Sequence, residues 1–359
     1  MPIFSSASDI QFYYADSGVP SISDYTTYFI VHGHSYHAGQ QSFTANAKSY
    51  RLLVGIFQRL LPVARQHSHR IIAINRREYP NSTPYTSAEL SIFAQGSNEE
   101  RSRLLLGEGT HLALLLDGLV QSLSLPPNIV IIGWSLGTIF TLSMLASITS
   151  LSPSVQARLR GSVKKMIMWE PPAHCLGVKL PPAYIPLLDE NLAPDVRPLV
   201  FRKWVALHFH HGDLSLRHDM SQIDQGNDNT RRTSPFDATS PEELATLTDL
   251  RPGARCDNYL IAPTFMDVER SIVYKALFDS TTRSTWSGMD VWHLVGDKAT
   301  HTVHMATWYL KDQVELAGTP HPAIIFAENP GASHFYMWED PEGAMKKLEA
   351  LTRPLTCDP

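Results

Sequence analysis

The pentapeptide Gly133-Trp134-Ser135-Leu136-Gly137 has the spacing G-x-S-x-G. Such a pentapeptide carries meaning only where a strand runs into it and a helix leaves it. Here Ile129-Val130-Ile131-Ile132 precedes it as a short β-branched apolar run, and Thr138 to Ile148 follows as an apolar segment of helical length. In that context the motif reads as a nucleophile elbow, a sharp strand-to-helix turn. Glycines at 133 and 137 suit it because side chains there would meet the neighbouring strand and helix. Ser135 would project its Oγ above the sheet at a helix N-terminus, where backbone N–H groups point the same way. A serine so placed can attack a carbonyl if a base takes its proton and a carboxylate orients that base.

Holding such a serine requires a sheet covered by helices. Tyr28–Val31, Ile71–Ile74, Ile129–Ile132 and Met166–Trp169 are short continuous apolar runs in the first part of the chain, as expected of parallel strands buried on both faces. Leu112, Leu115, Leu116, Leu119, Val120 and Leu123 fall on one helical face, and Pro126-Pro127 stops that helix before the next strand. The last part returns to the same alternation, with strands predicted at Val291–Val295 and Ala323–Phe326 and helices at Ala299–Val314 and Pro341–Leu351. Between them the strand-like runs vanish. Short amphipathic pieces, Pro198–His208 and Thr264–Phe278, alternate with polar loops, and Gly212–Asn258 is expected to be the most mobile stretch. The pattern predicts an α/β fold: a mostly parallel, doubly wound sheet formed by residues 1–171 and 288–359, with an inserted helical cap domain at 172–287.

The order of these parts resembles the α/β-hydrolase-fold superfamily over most of the chain, and overall most resembles its fungal members. Arg77-Glu78-Tyr79-Pro80-Asn81-Ser82 is similar to that family's R-G-x-G-x-S loop, with both glycine positions changed. Gly331-Ala332-Ser333-His334-Phe335 resembles its catalytic-histidine loop, which implies His334 as the general base. Most members take the orienting acid from the end of the seventh strand, in a Gly-x-x-Asp pattern. Here that strand ends Gly296-Asp297-Lys298-Ala299, so the acid position holds alanine and Asp297 comes too early. Some members place the acid one strand end earlier, where this chain has Glu170 between Trp169 and Pro171-Pro172. Glu170 is therefore the first choice and Asp297 the alternative. A carboxylate among those apolar neighbours needs a partner, either a histidine ring or an arginine such as Arg76 or Arg77. The resemblance also implies an oxyanion hole made by the Leu136 amide and by that of His34, or else Ser35. Trp134 and His37 are expected to line the substrate pocket.

Composition narrows the alternatives. Of 359 residues, 43% are hydrophobic and 18% charged, so a sizeable core can form. A net charge of −5 gives no basic footprint for nucleic acid and no reason to expect a membrane partner. Three cysteines (Cys175, Cys256 and Cys357) supply neither a disulfide framework nor a cysteine-rich zinc module. The stretch Ile129–Ile148 could span a bilayer by length, but its Gly, Ser and Thr content fits a buried strand running into a buried helix. No signal segment is visible, so a cytoplasmic location is expected. His208, His210, His211 and Asp213, and the pair His301/His304, have possible metal-ligand spacing but lack further ligands nearby, so no metal is expected. No dinucleotide or P-loop pattern appears, and no cofactor is expected. The sequence reading is thus a serine esterase or lactonase acting on a mostly apolar small molecule. Two alternatives keep the fold: non-hydrolytic chemistry (acyl transfer, cyclisation or carbon–carbon cleavage), and a ligand-binding receptor without turnover. Oligomeric state is not legible.

Overall fold

The computed structural model describes residues 3–5, 10–42, 51–53, 55–179, 181–227, 232–318 and 324–353. The chain begins with strands β1 (Ile3–Ser5), β2 (Gln11–Asp16) and β3 (Thr27–Val31), followed by a separate two-stranded ribbon, β4 (Gln40–Ser42) and β5 (Arg51–Leu53). Then come α1 (Leu60–Gln66), β6 (Arg70–Ile74), α2 (Ser87–Gln95), α3 (Asn98–Ser122), β7 (Ile129–Trp134), α4 (Gly137–Ala146), α5 (Pro153–Ser162) and β8 (Val163–Trp169). Short helices α6 (Arg197–Trp204), α7 (Pro241–Leu247), α8 (Arg251–Arg255), α9 (Met266–Leu277) and α10 (Ser280–Thr285) lead to β9 (Asp290–Gly296). The chain closes with α11 (His301–Ala317), β10 (Ile325–Asn329), α12 (Tyr336–Glu339) and α13 (Pro341–Thr352).

Eight strands form one sheet in the order β1-β2-β6-β3-β7-β8-β9-β10. From β6 to β10 all neighbours are parallel, while β1 and β2 are added antiparallel at one edge. Alternation sorts the apolar runs onto two faces. Phe29, Val31, Ile131, Met166 and Met168 pack with α3 and α4 residues on one face, and Tyr28, Ile30, Ile132, Ile167 and Leu294 with α1 and α13 residues on the other. Every residue of β3, β6 and β7 is buried, as sheets covered on both faces require.

Two differences from the sequence reading have simple causes. The last strand runs Ile325–Asn329 rather than Ala323–Phe326, and Ala323 lies outside the described residues. As an edge strand with one ladder, β10 tolerates the polar Glu328 and Asn329, so apolar content misplaces its end. Within 172–287, α9 packs against α3 and α4, with Val268, Ile272, Val273 and Ala276 joining the core on that face. Its apolar stripe belongs to the helical layer beside the sheet rather than to a cover over the strand ends. Among the described residues no helix is long and apolar enough to cross a membrane.

Candidate active site

The parallel register brings three strand ends level. Trp134 pairs with Trp169, and Trp169 with Leu294, so Ser135, Glu170 and Val295 follow side by side. The Ser135 amide donates to the Trp169 carbonyl and the Glu170 amide to the Leu294 carbonyl, each at 2.9 Å. Both residues sit in the left-handed region, Ser135 at φ 54° and Glu170 at φ 57°. For non-glycine residues this costs on the order of 1–2 kcal/mol each. The glycines of the elbow answer a space constraint: a Cβ on Gly133 would lie 2.7 Å from Thr138 Cα, and one on Gly137 would lie 2.2 Å from the Val31 carbonyl oxygen.

Glu170 is buried and divides its two oxygens. Oε1 accepts the Gly296 amide at 2.6 Å, and Oε2 faces His334 Nδ1 at 3.4 Å. The two arginines considered as its partners are engaged elsewhere, Arg76 with Asp257 and Arg77 with Glu89 and Glu108. Asp297 is exposed, and its Oδ1 accepts the Gly331 amide at 2.7 Å, closing the turn between the β9 and β10 ends. His334 lies on the loop after β10, where the Trp134 indole N–H donates to its carbonyl at 3.1 Å. Burial pulls the His334 imidazole down to about 3, keeping it neutral at ordinary pH. Burial raises the Glu170 carboxyl well above the usual carboxylate range, opposed by the Gly296 N–H and reinforced by the charge of Asp297. Ser135 and His334 line the same cavity but share no hydrogen bond. Catalytic hydrogen bonds of this type are often long before substrate arrives.

The loop 32–35 is fixed from several sides. Arg76 donates from Nε to the His32 carbonyl and from Nη2 to the Gly33 carbonyl, and its two Nη atoms also hold Asp257 at 3.0 and 2.7 Å. Tyr79 Oη donates to Asp257 at 2.7 Å and accepts the Ser35 amide at 2.9 Å. The Ser35 amide is therefore occupied, which removes Ser35 from the oxyanion candidates. Among the described residues the His34 and Leu136 amides donate to no protein acceptor. The His34 ring contacts Ser35 Oγ at 2.6 Å and Asn258 Oδ1 at 2.9 Å. In the loop similar to R-G-x-G-x-S, Glu78 adopts φ 73° at a position where the family has glycine.

The cavity beside Ser135 is small, about 20 Å³ in volume, and bordered by His34, Leu136, His174, Phe201, Trp204 and Thr302 among others. Trp134 and His37, expected at the pocket, do not line it. Trp134 alternates onto the same face as Ile132 and packs edge-on against Tyr36, Phe57 and Phe335. His37 is held in the backbone network by Leu247 and Ile56, and its buried ring is depressed to about 4. Two of the aromatic side chains between β8 and β9, Phe201 and Trp204, do reach the cavity. Sequence reasoning missed His174, four residues beyond Glu170, and it missed Asp257, whose partner Arg76 is 181 residues away. Following the chain past the acid would have found the first; no local signal marks the second. Of the histidines with metal-like spacing, His211 bonds the Ala299 carbonyl and sets its ring against His304. Among the described residues no three His, Cys, Asp or Glu groups gather as a metal site.

The chain belongs to the alpha/beta hydrolase family, whose model matches residues 29–346. No match by sequence was found among curated proteins. Solved structures of similar fold include a putative aryl esterase from Burkholderia cenocepacia, 14% identical with a TM-score of 0.53, the match covering 98% of this chain and 97% of that one. A serine hydrolase from the polyaromatic hydrocarbon-degrading bacterium Cycloclasticus zankles is 10% identical with a TM-score of 0.53, over 99% and 98% of the two chains. A bromoperoxidase from Bacillus anthracis is 12% identical with a TM-score of 0.52, over 97% and 98%. At these identities the likeness establishes the α/β-hydrolase fold.

Proposed function

We propose that the protein is a serine hydrolase that cleaves a carboxylic ester or lactone of a small molecule through an acyl-enzyme. The observation that carries this reading is the buried line Ser135–His334–Glu170: an elbow serine and a neutral imidazole share one cavity, and the imidazole Nδ1 faces a carboxyl that has no Lys or Arg partner among the described residues. Ser135 Oγ attacks the carbonyl carbon, its proton passes to His334 Nε2, and Glu170 steadies the imidazolium through Nδ1–H. The carbonyl oxygen, now an alkoxide, is held by the His34 and Leu136 amides. Collapse expels the alcohol oxygen, which takes the proton from Nε2. Water then attacks the acyl-serine with His334 again as base, releasing the acid and restoring Ser135. Ile185, Phe201, Trp204, Val205 and Ile261 offer an apolar wall to the organic part of the substrate.

The test is turnover of a panel of esters and lactones by the native protein and by Ser135→Ala. The variant should keep its fold and lose about 10⁴-fold or more in kcat on any substrate the native protein cleaves. Substantial retained activity would reject the serine mechanism.

A further inference from the structure

Three histidines border the cavity beside Ser135, and two of them are accounted for. The His334 Nδ1 faces Glu170, and both ring nitrogens of His34 have partners. His174 is only 8% exposed, yet its Nδ1 has no hydrogen-bond partner among the described residues. On the same wall α11 begins, 17 residues long, with Thr300 as an N-cap that makes no side-chain cap bond. Thr300 and Thr302, whose hydroxyls lie 2.9 Å apart, both border the cavity. The buried His301, in the first turn of α11, has no partner at either ring nitrogen among the described residues and sets its edge against Trp204. Among the described residues no Asp or Glu borders the cavity.

Each of these features favours negative charge. A helix start gathers unpaired N–H groups and about half a positive charge, and hydroxyl and imidazole N–H groups are ready donors. The geometry points to a carboxylate subsite inside the catalytic cavity, formed by His174, the Thr300–Thr302 pair and the start of α11. This rests on the serine-hydrolase reading and narrows its substrate to an ester or lactone that also carries a carboxylate a few bonds from the scissile carbonyl. Burial holds the free His174 ring near 3, and a carboxylate arriving beside it supplies the counter-charge that burial denies. At about 20 Å³ the cavity has room for roughly one water, so a substrate must widen it. The polar wall is anchored, because the turn Ala173–Leu176 packs on α11 and α9.

The test uses two probes that differ by one charge, monomethyl glutarate and dimethyl glutarate, titrated calorimetrically into Ser135→Ala protein. The monoanion should bind about tenfold tighter or more. Adding His174→Phe or Thr302→Val should bring that advantage close to one, and either variant suffices if the other fails to fold. Monoanion binding that is undetectable, no tighter than the diester's, or still favoured in both variants overturns the subsite. Phosphonate labelling of the native protein reports separately on the nucleophile. A labelled Ser135 without anion preference rejects the subsite alone, and anion preference without labelling rejects the serine mechanism alone.

Discussion

Ser135 and Glu170 share an unusual backbone state at the ends of adjacent strands, and the ladder bonds to Trp169 and Leu294 hold both there. The strained conformation lifts each side chain out of the strand alternation, placing Ser135 at the cavity and Glu170 against the Gly296 amide and the His334 ring behind it. The serine was legible because glycines at fixed offsets announce such a turn. The choice of Glu170 as candidate acid rests on the family resemblance, the alanine at 299 and the apolar neighbours of 170, since nothing in a glutamate's own sequence marks a left-handed site. Glu170→Gln should lower kcat by about 10⁴-fold through a mis-set imidazole, whereas Asp297→Asn should keep most of its activity, with both proteins folded. Kinetics of the two purified variants decide this, and the reverse pattern would return the acid to the β9 end. Because burial lowers the His334 imidazole, its active neutral form persists on acidification, so the acid limb of kcat/KM should lie below pH 6.5. A limb at or above 6.5 would mean that the general base is a more exposed group.

Elements carry the loop proposed to hold the oxyanion. Residues 32–35 are gripped by Arg76 and Tyr79 from beyond β6 and by Asn258 from the turn after α8, with Asp257 bonding Arg76 and Tyr79 behind them. Tyr79→Phe removes the acceptor of the Ser35 amide and one donor to Asp257. It should lower kcat by up to the order of 10²-fold with little change in KM, as displacement of an oxyanion donor would. A rise in KM alone would place Tyr79 in ground-state binding instead. Asp257→Asn should cost about 3–5 kcal/mol by denaturant unfolding, because it strands the buried Arg76 charge. The central strands could be read from the sequence because continuous β-branched runs have few alternatives. The edge strands β1 and β2 could not, since Gln11–Asp16 holds three consecutive aromatics in place of an aliphatic run. The helices between β8 and β9 are short, several opening on a proline in their first turn such as Pro198, Pro241 and Pro252, so periodicity shows only the amphipathic pieces at 198–208 and 264–278 and not their packing partners.

For the whole molecule, the dominant electrostatic feature is a population of buried neutral histidines. His37 and His301 are lowered to about 4, and His174, His293 and His334 to about 3, in each case chiefly by burial. His32, His34, His211 and His304 are lowered by the same cause. A depressed histidine stays neutral in the folded chain and takes a proton in the unfolded one below 6.5. Its contribution is therefore intact above 6.5 and is lost as pH falls toward the folded value, by about 1.4 kcal/mol per pH unit for each group. Glu108, raised to about 7, together with Glu170 and Glu269, also raised by burial, acts in the opposite sense, since the folded state holds their protons more firmly. The histidines outnumber these three carboxyls, so the melting temperature should fall steeply between pH 6.5 and 5. Scanning calorimetry across that range checks it, and a flat or rising melting temperature would show that the rings are hydrated or charged in the folded protein. Part of this was visible in a chain with sixteen histidines, but burial, which decides the sign, belongs to the fold.

Whether Ser135 is an activated nucleophile is read directly by labelling with a fluorophosphonate followed by peptide mass spectrometry. Native protein should take up one phosphonyl group per chain, on Ser135. His334→Ala should lose that reactivity, and Glu170→Gln should label far more slowly than Asp297→Asn. Native protein that stays unlabelled, or that carries the phosphonyl group on another residue, would contradict the account.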